Sequence, residues 1–459
     1  MAQVSIDQRP LYKVLPIGQQ IMFSVSETNT VATRFKVKFV AEVRVSSSAG
    51  INPNSSDDLI GTFKTTPNNA GVGIFDLRPI LETFVSPDNE PSSTANATYK
   101  GIPESTATFP IHLVDKYTLS DKSIKFFAVR FLVEYATDAT GSVGAPTFEV
   151  DSAEFTMFNG VLQYDDVLTL DGNDYGYNLE LFELTDNDSQ FLSNAPTTQY
   201  ARLTDYGTFP FLNFVPNSTD KVLSIMLKYY DSSNSLLDQE AVLNIPYNGG
   251  VSSVGDSNTM INYFGGFPAN LDGWSSMWDA NKANISYYTI QDGNGDSVLY
   301  RINILCPNLK GFEAIRLTWL NQWGTWDYYT FNMKSTRTLT TNRTSYTQLG
   351  GTWNESTFRI ADYKGGKKNF RVNSTEKIKL NTDFVTEAEG VWLEELINSN
   401  AVYIVNGFSE DVSNTITNKY IDPVVLTTSS YVKKTIANDK VMQYTIEIEK
   451  SKMKRTQAV

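Results

Sequence analysis

Alternation of apolar and polar residues with a period of two is the strongest regularity along the chain. Over residues 34–45 one side reads Phe35, Val37, Phe39, Ala41, Val43 and Val45, and the other Arg34, Lys36, Lys38, Val40, Glu42 and Arg44. Successive side chains of a strand point to opposite faces, so this spacing predicts a half-buried strand. A helix would scatter the same set around its circumference. Residues 125–135 repeat the pattern with Phe127, Val129, Phe131, Val133 and Tyr135. Near the end, Met442, Tyr444, Ile446 and Ile448 alternate with Gln443, Thr445, Glu447 and Glu449.

Turn signals separate the predicted strands. Asp292-Gly293-Asn294-Gly295-Asp296 reads as a hairpin loop between strands at 285–291 and 298–305. Asn438-Asp439 reads as another, between 429–436 and 441–449. Two helices are predicted. A short one covers 79–85, with Asp76 as cap, Pro79 in the first turn, and Ile80, Leu81, Phe84 and Val85 on one face. The other opens at Thr386-Glu387-Ala388-Glu389, a hydroxyl followed three residues later by a carboxylate, which is capping-box spacing. Its apolar stripe is Val391, Trp392, Leu396 and Ile397, it ends at Asn398-Ser399-Asn400, and a strand follows at 401–405. Residues 46–58 and 86–105 are rich in Ser, Asn, Pro and Thr and read as long loops. The fold class is therefore mainly β: tandem β-sandwich-like domains with an α+β C-terminal region. Breaks at Asn159-Gly160 and across 247–258 divide it into an N-terminal β-sandwich domain (1–160), a middle β domain (161–250) and C-terminal α+β domains (251–459).

Composition narrows the function. Within 459 residues, 26 Phe, 24 Tyr and 7 Trp supply material for full cores, while only 19% of residues are charged. The surface must then be built largely from Ser, Thr, Asn and Gln, which suits strands and turns better than helical bundles. A formal net charge of −13 repels a phosphate backbone, so no direct nucleic-acid partner is expected. One cysteine, Cys306, allows no internal disulfide and reads as a small buried hydrophobe. The first residues lack the basic and apolar regions of a signal peptide, and no apolar run is long enough to span a bilayer. A protein made in a cytoplasm and kept soluble is the expectation.

Reactive chemistry is sparse in the sequence. His112, in the strand-like stretch 109–114, is the one histidine, so a Ser-His-Asp or Cys-His site would have to use it. Zinc sites need several His or Cys ligands, and the chain has one of each. No phosphate-binding or dinucleotide-binding glycine motif occurs. The 292–296 segment resembles the opening of a calcium loop, but the twelfth position is Asn303 instead of Glu; Asp171-Gly172-Asn173-Asp174 is a weaker oxygen-rich turn. Glu394 and Glu395 are adjacent on a helix and point about 100° apart, so they do not face one substrate. No cofactor, metal or catalytic residue is assigned, and the chain reads as a non-enzyme.

Three segments remain as interaction candidates. The stretch from Trp319 to Phe331 is dense in aromatics, with Trp323 and Trp326 around a turn. Two core strands joined by Asn321-Gln322-Trp323-Gly324 explain it; exposed rings that stack on sugars or anchor an interface are the alternative. A basic cluster, Lys364, Lys367, Lys368 and Arg371, surrounds Gly365-Gly366 and reads as a solvated hairpin loop or as a dock for an acidic neighbour. The third is the basic tail, Lys450, Lys452, Lys454 and Arg455.

Residues 315–334, the helix beginning at Glu387, the closing run Tyr444-Thr445-Ile446-Glu447-Ile448-Glu449-Lys450-Ser451-Lys452, and Phe75-Asp76-Leu77-Arg78-Pro79-Ile80-Leu81 near the start together resemble tail- and baseplate-type structural proteins of tailed bacteriophages of marine and Bacteroidota hosts. The resemblance implies stacked β-sandwich domains in a ring-forming virion subunit, tail-hub or distal-tail-like, assembled in the host cytoplasm from copies of itself and other virion proteins. It carries no functional residues over. The expected interface residues are Trp323, Trp326, Lys367, Lys368 and Lys452. Two alternatives stay open: a receptor- or carbohydrate-binding adhesin or tail fibre protein, and a polysaccharide-degrading enzyme on a β scaffold.

Overall fold

The computed structural model describes residues 4–11, 13–27, 33–92, 97–162, 190–212, 224–242, 261–295, 297–305, 311–352, 355–361, 363–407, 419–432 and 442–456. Strand accounts for 45% of the structure and helix for 8%, so the fold is mainly β. The chain forms two compact units. The first comprises residues 1–307, 320–328 and 407–420, the second 308–319, 329–406 and 421–459.

The first unit opens with a β-sandwich. One sheet orders Ser5–Gln8, Met22–Ser26 and Val72–Asp76; the other orders Val14–Pro16, Phe155–Phe158, Ile124–Ala136, Phe35–Ser46 and Leu59–Thr65, with Thr147–Asp151 also pairing to Ile124–Ala136. The two longest strands run antiparallel in the register Phe127↔Val45, Val129↔Val43 and Phe131↔Ala41. That register puts the apolar face of each strand on the same side, as their alternation requires. Phe39, Ala41, Val43, Phe127, Val129, Phe131 and Val133 join Phe23, Val25 and Phe75 of the facing sheet in one core. Phe131 lies 5.4 Å from Phe23 and 5.5 Å from Phe75, so the inner faces interlock through aromatic rings.

The predicted helix at 79–85 is shorter, Arg78–Leu81, and its N-cap is Leu77. Asp76 still accepts the Arg78 N–H at 3.1 Å, and Leu81 and Val85 are buried, but Phe84 is exposed. His112 sits in a 3-10 turn, Ile111–Leu113, in place of the expected strand.

Two further sheets gather strands from distant parts of the chain. A five-stranded sheet orders Thr198–Ala201, Tyr300–Ile304, Tyr287–Asp292, Ile225–Tyr230 and Leu236–Val242. A three-stranded sheet orders Phe209–Leu212, Ile261–Phe264 and Tyr117–Leu119, with Asn262 opposite Leu119. Strands from all three sequence-defined lengths (1–160, 161–250 and 251–459) therefore share sheets, and the two compact units do not follow those boundaries. The hairpin around 292–296 does form, with Ile290 opposite Tyr300. Asp292 accepts the N–H groups of Asn294 at 2.9 Å and Ser297 at 2.7 Å, so its carboxylate ties the loop to itself. Cys306, Asp296 and the turn at 171–174 lie outside the described residues.

The second unit is α+β. The seven-stranded sheet orders Trp326–Phe331, Ile315–Leu320, Val402–Val405, Ile421–Leu426, Thr445–Lys450, Gly366–Asn381 and Thr336–Gln348. The helix Glu387–Asn398 carries the predicted capping box, with Thr386 and Glu389 bonded reciprocally. It buries Trp392, Leu393 and Leu396, while Val391 faces out; Trp392 packs 5.1 Å from Trp319 and 6.2 Å from Tyr329. The last strand pairs with Ile421–Leu426, in the register Val425↔Glu449; of the expected partner 429–436, residues 433–436 lie outside the described residues. Residues 429–432 form no strand, and Asn438-Asp439 lies outside the described residues.

Candidate interface: the basic arm

The expected interface residues separate sharply. Trp323 is 5% exposed and Trp326 fully buried, so the aromatic turn belongs to the interior of the first unit and neither ring is presented to a partner. Local chemistry makes the turn rigid. Asn321 Oδ1 accepts the N–H of Trp323 (3.0 Å) and of Thr325 (3.1 Å), while its Nδ2 donates to the Leu192 carbonyl at 3.0 Å. Gly324 has φ +74°, and a Cβ there would stand 1.7 Å from the Asn159 carbonyl oxygen, so only glycine fits. Trp326 Nε1 donates to the Asp88 carbonyl at 2.6 Å.

His112 is enclosed by the same cluster. Its Nδ1 is 2.8 Å from Tyr328 Oη, its ring meets Trp326 edge-on at 5.0 Å, and its carbonyl accepts from Asn270 Nδ2 at 3.0 Å. Full burial in an aromatic interior gives it packing and hydrogen-bonding work and no access for a substrate. Among the described residues, no three His, Cys, Asp or Glu side chains converge as metal ligands. None of the described helices is long and apolar enough to cross a membrane. A recess of about 220 Å³ is lined by Asp88, Glu90, Glu104, Phe109 and Asp121. Asp88 is spent on its framework, accepting the N–H groups of Asp121 (3.0 Å) and Lys122 (2.7 Å) and the Tyr263 hydroxyl (3.1 Å). Burial first, and the Asp88 charge second, hold the Tyr263 phenol well above its usual range.

The basic cluster is built differently. Thr336–Gln348 and Gly366–Asn381 form a long antiparallel ribbon at the edge of the second unit's sheet. A third strand supports Gly366–Asn381 only from Lys377 to Asn381, and the tail adds one bridge, Ser374↔Lys454. Beyond that bridge the seven rungs from Asn342↔Asn373 to Gln348↔Gly366 form a two-stranded arm. At about 3.4 Å per residue it is roughly 24 Å long. Of the residues between the two strands, Thr352 N–H donates to the Arg359 carbonyl (2.9 Å) and Arg359 N–H to Thr352 Oγ1 (2.8 Å), which ties the described part of the tip to itself.

Large apolar side chains stand in solvent on this arm: Ile360 is 85% exposed, Leu349 77%, Tyr363 75% and Phe358 65%, with Phe370 and Tyr346 about half exposed. Lys367 is exposed, and Lys368 donates to the Tyr363 carbonyl at 2.7 Å, fixing one charge beside the exposed ring. Over 342–373 six basic residues (Arg343, Arg359, Lys364, Lys367, Lys368, Arg371) face two acidic ones (Glu355, Asp362), a net charge of +4. Since the whole chain is −13, everything else carries −17.

The tail is anchored to its own chain. Lys452 Nζ lies 3.9 Å and Lys450 Nζ 3.8 Å from Asp422. Lys454 and Arg337 both donate to Glu376 at the arm's base, Arg337 at 2.8 Å, and Arg337 also reaches Glu313 at 2.6 Å. These cations, Lys454 foremost, hold the Glu376 carboxyl down at about 2.

Sequence reasoning missed the arm as an element. The signal available was a run of Thr, Asn, Ser and Arg on both sides of Gly365-Gly366, β-prone but with no apolar face. No protein-family model matches the chain, and no curated protein matches it. The class that fold and surface define is a multi-sheet β protein bearing an exposed basic and apolar arm.

Proposed function

We propose that this chain is a virion structural protein of a tailed bacteriophage, an assembly subunit that forms a ring in the tail or baseplate and binds neighbouring subunits there. The assembly half of the reading is carried by one observation. The arm combines solvent-standing Ile360, Leu349, Tyr363 and Phe358 with a concentrated positive charge. Apolar groups of this size, grouped on one projection, are the surface pattern of a binding site. Placement in a phage tail is supported by the resemblance of 315–334, the helix at Glu387 and the closing strand to tail- and baseplate-type proteins. The role is non-catalytic, and the working location is the virion.

Native mass spectrometry of the purified chain tests this reading. Six or twelve copies are the expected result. Three copies would favour the receptor- or carbohydrate-binding alternative, in which the exposed Tyr363 and Phe358 stack on a sugar. Turnover of a glycan, ester or peptide, abolished by one substitution in a chain that stays folded, would overturn the assembly role.

A further inference from the structure

The arm's charge identifies what it docks against. Two arms carry +4 each and repel, so a symmetric arm-to-arm contact is disfavoured. The rest of an identical chain carries a formal −17 by sequence and attracts the arm. Edge-strand pairing is a poor use of the ribbon: it is kinked by a bulge at Phe370, where Thr344↔Arg371 steps to Ser345↔Asn369, and its outer strand carries a charged Arg343, and bulges and charges are what natural edges use to refuse another strand. That leaves side chains of the tip as the contacting groups, with Ile360, Leu349 and Phe358 as apolar anchors and the lysines around them as steering charges.

We infer that the arm of one copy docks head-to-tail on the acidic remainder of a second copy, through its tip. This rests on the assembly reading above and deepens it. A head-to-tail contact leaves a free arm at one end and a free acceptor at the other, so it propagates, and it closes into a ring where the rotation allows.

The test mixes two forms of the full chain. In the armless form, residues 342–373 are replaced by an Asn-Gly turn, which suits a two-residue hairpin. The second form is the intact protein with a mass tag. Sedimentation and native mass spectrometry at low salt should show the armless chain alone as a monomer, and a mixture with the armless chain in large excess as one-to-one complexes, because the armless chain keeps its acceptor and occupies nearly every intact arm. A second variant with Lys364→Glu, Lys367→Glu and Lys368→Glu keeps the ribbon and should weaken self-association at least tenfold. Raising salt to about 1 M should weaken the wild-type contact, as screening requires. The inference is overturned if the armless chain fails to bind the intact one, which would mean arm-to-arm contact. It is equally overturned if both variants keep the wild-type oligomer, although the assembly reading would then survive through another surface. A wild-type chain that stays monomeric at high concentration would sink both.

Discussion

The aromatic turn at 320–328 and the arm at 342–373 both stand out by composition, and they have opposite fates. The turn concentrates indole and phenol rings and is buried; the arm concentrates charge and small polar residues, yet carries the large apolar groups that stay in water. The difference lies in pattern. Trp326 and Tyr328 alternate on one strand face, so a single surface buries both, and burying a ring of ~200 Å² at ~25 cal/mol/Å² stabilises by about 5 kcal/mol as an upper estimate. Leu349, Phe358, Ile360 and Tyr363 fall in an irregular tip with no shared face. Their own strand pair leaves all four in water.

The largest expected effect comes from the buried side of this comparison. Trp326→Ala removes a fully buried ring and leaves the Asp88 carbonyl without the indole donor it has at 2.6 Å. Loss of about 3–5 kcal/mol is expected, read from the urea midpoint of unfolding. A loss under about 1 kcal/mol would mean that the turn is not the packed interior described above. The fold at large was legible to this same kind of reasoning. The two long strands of the sandwich and the last strand each declare a buried face in their alternation, and the helix at Glu387 declares its start in Thr386 and Glu389. What stayed hidden depends on partners far away in sequence. Nothing local says that Ile261–Phe264 pairs with Tyr117–Leu119, or that the last strand pairs with Ile421–Leu426. The candidate site was half legible. Lys367 and Lys368 were picked out by charge, but their ribbon has no apolar periodicity to announce a strand, and Trp323 and Trp326 were conspicuous for rings that turn out to serve the core.

An intermediate effect sits at the arm's base, where Glu376 is buried and receives Lys454 and Arg337. Its folded value of about 2 lies below the ~4.3 of an unfolded glutamate. A depressed carboxyl contributes stability that is complete above the unfolded value and disappears as pH falls through the folded one. Glu376→Gln should therefore cost on the order of 1 kcal/mol at pH 7, a figure discounted because Lys454 is 63% exposed. The cost should shrink as pH falls from about 4 and be nearly gone at about 2. Matched denaturation curves of wild type and variant across that window check the sign. A cost that persists at about pH 2 would mean that the negative charge of Glu376 is not what stabilises the arm's base. Because the same ion pairs hold the tail to the ribbon, Lys454→Ala should reproduce the effect at neutral pH.

The smallest effect on stability belongs to the arm's tip, and there the contrast with the turn is most exposed to failure. Ile360 is 85% and Phe358 65% in solvent, so the isolated chain gains little from either side chain. Ile360→Ser with Phe358→Ser should leave the urea midpoint within about 0.5 kcal/mol of wild type, the range of surface substitutions away from special features. If the tip is an anchor, the same pair should weaken self-association by 2 kcal/mol or more, roughly thirtyfold in dissociation constant, as truncation of central interface residues does. Stability and association are then separable: Trp326→Ala lowers the first, while the tip variant loses only the second. A tip variant that unfolds early would show that these residues pack on their own chain. One that folds and associates like wild type would show that water is where they belong, and the arm would have to act through its charge alone.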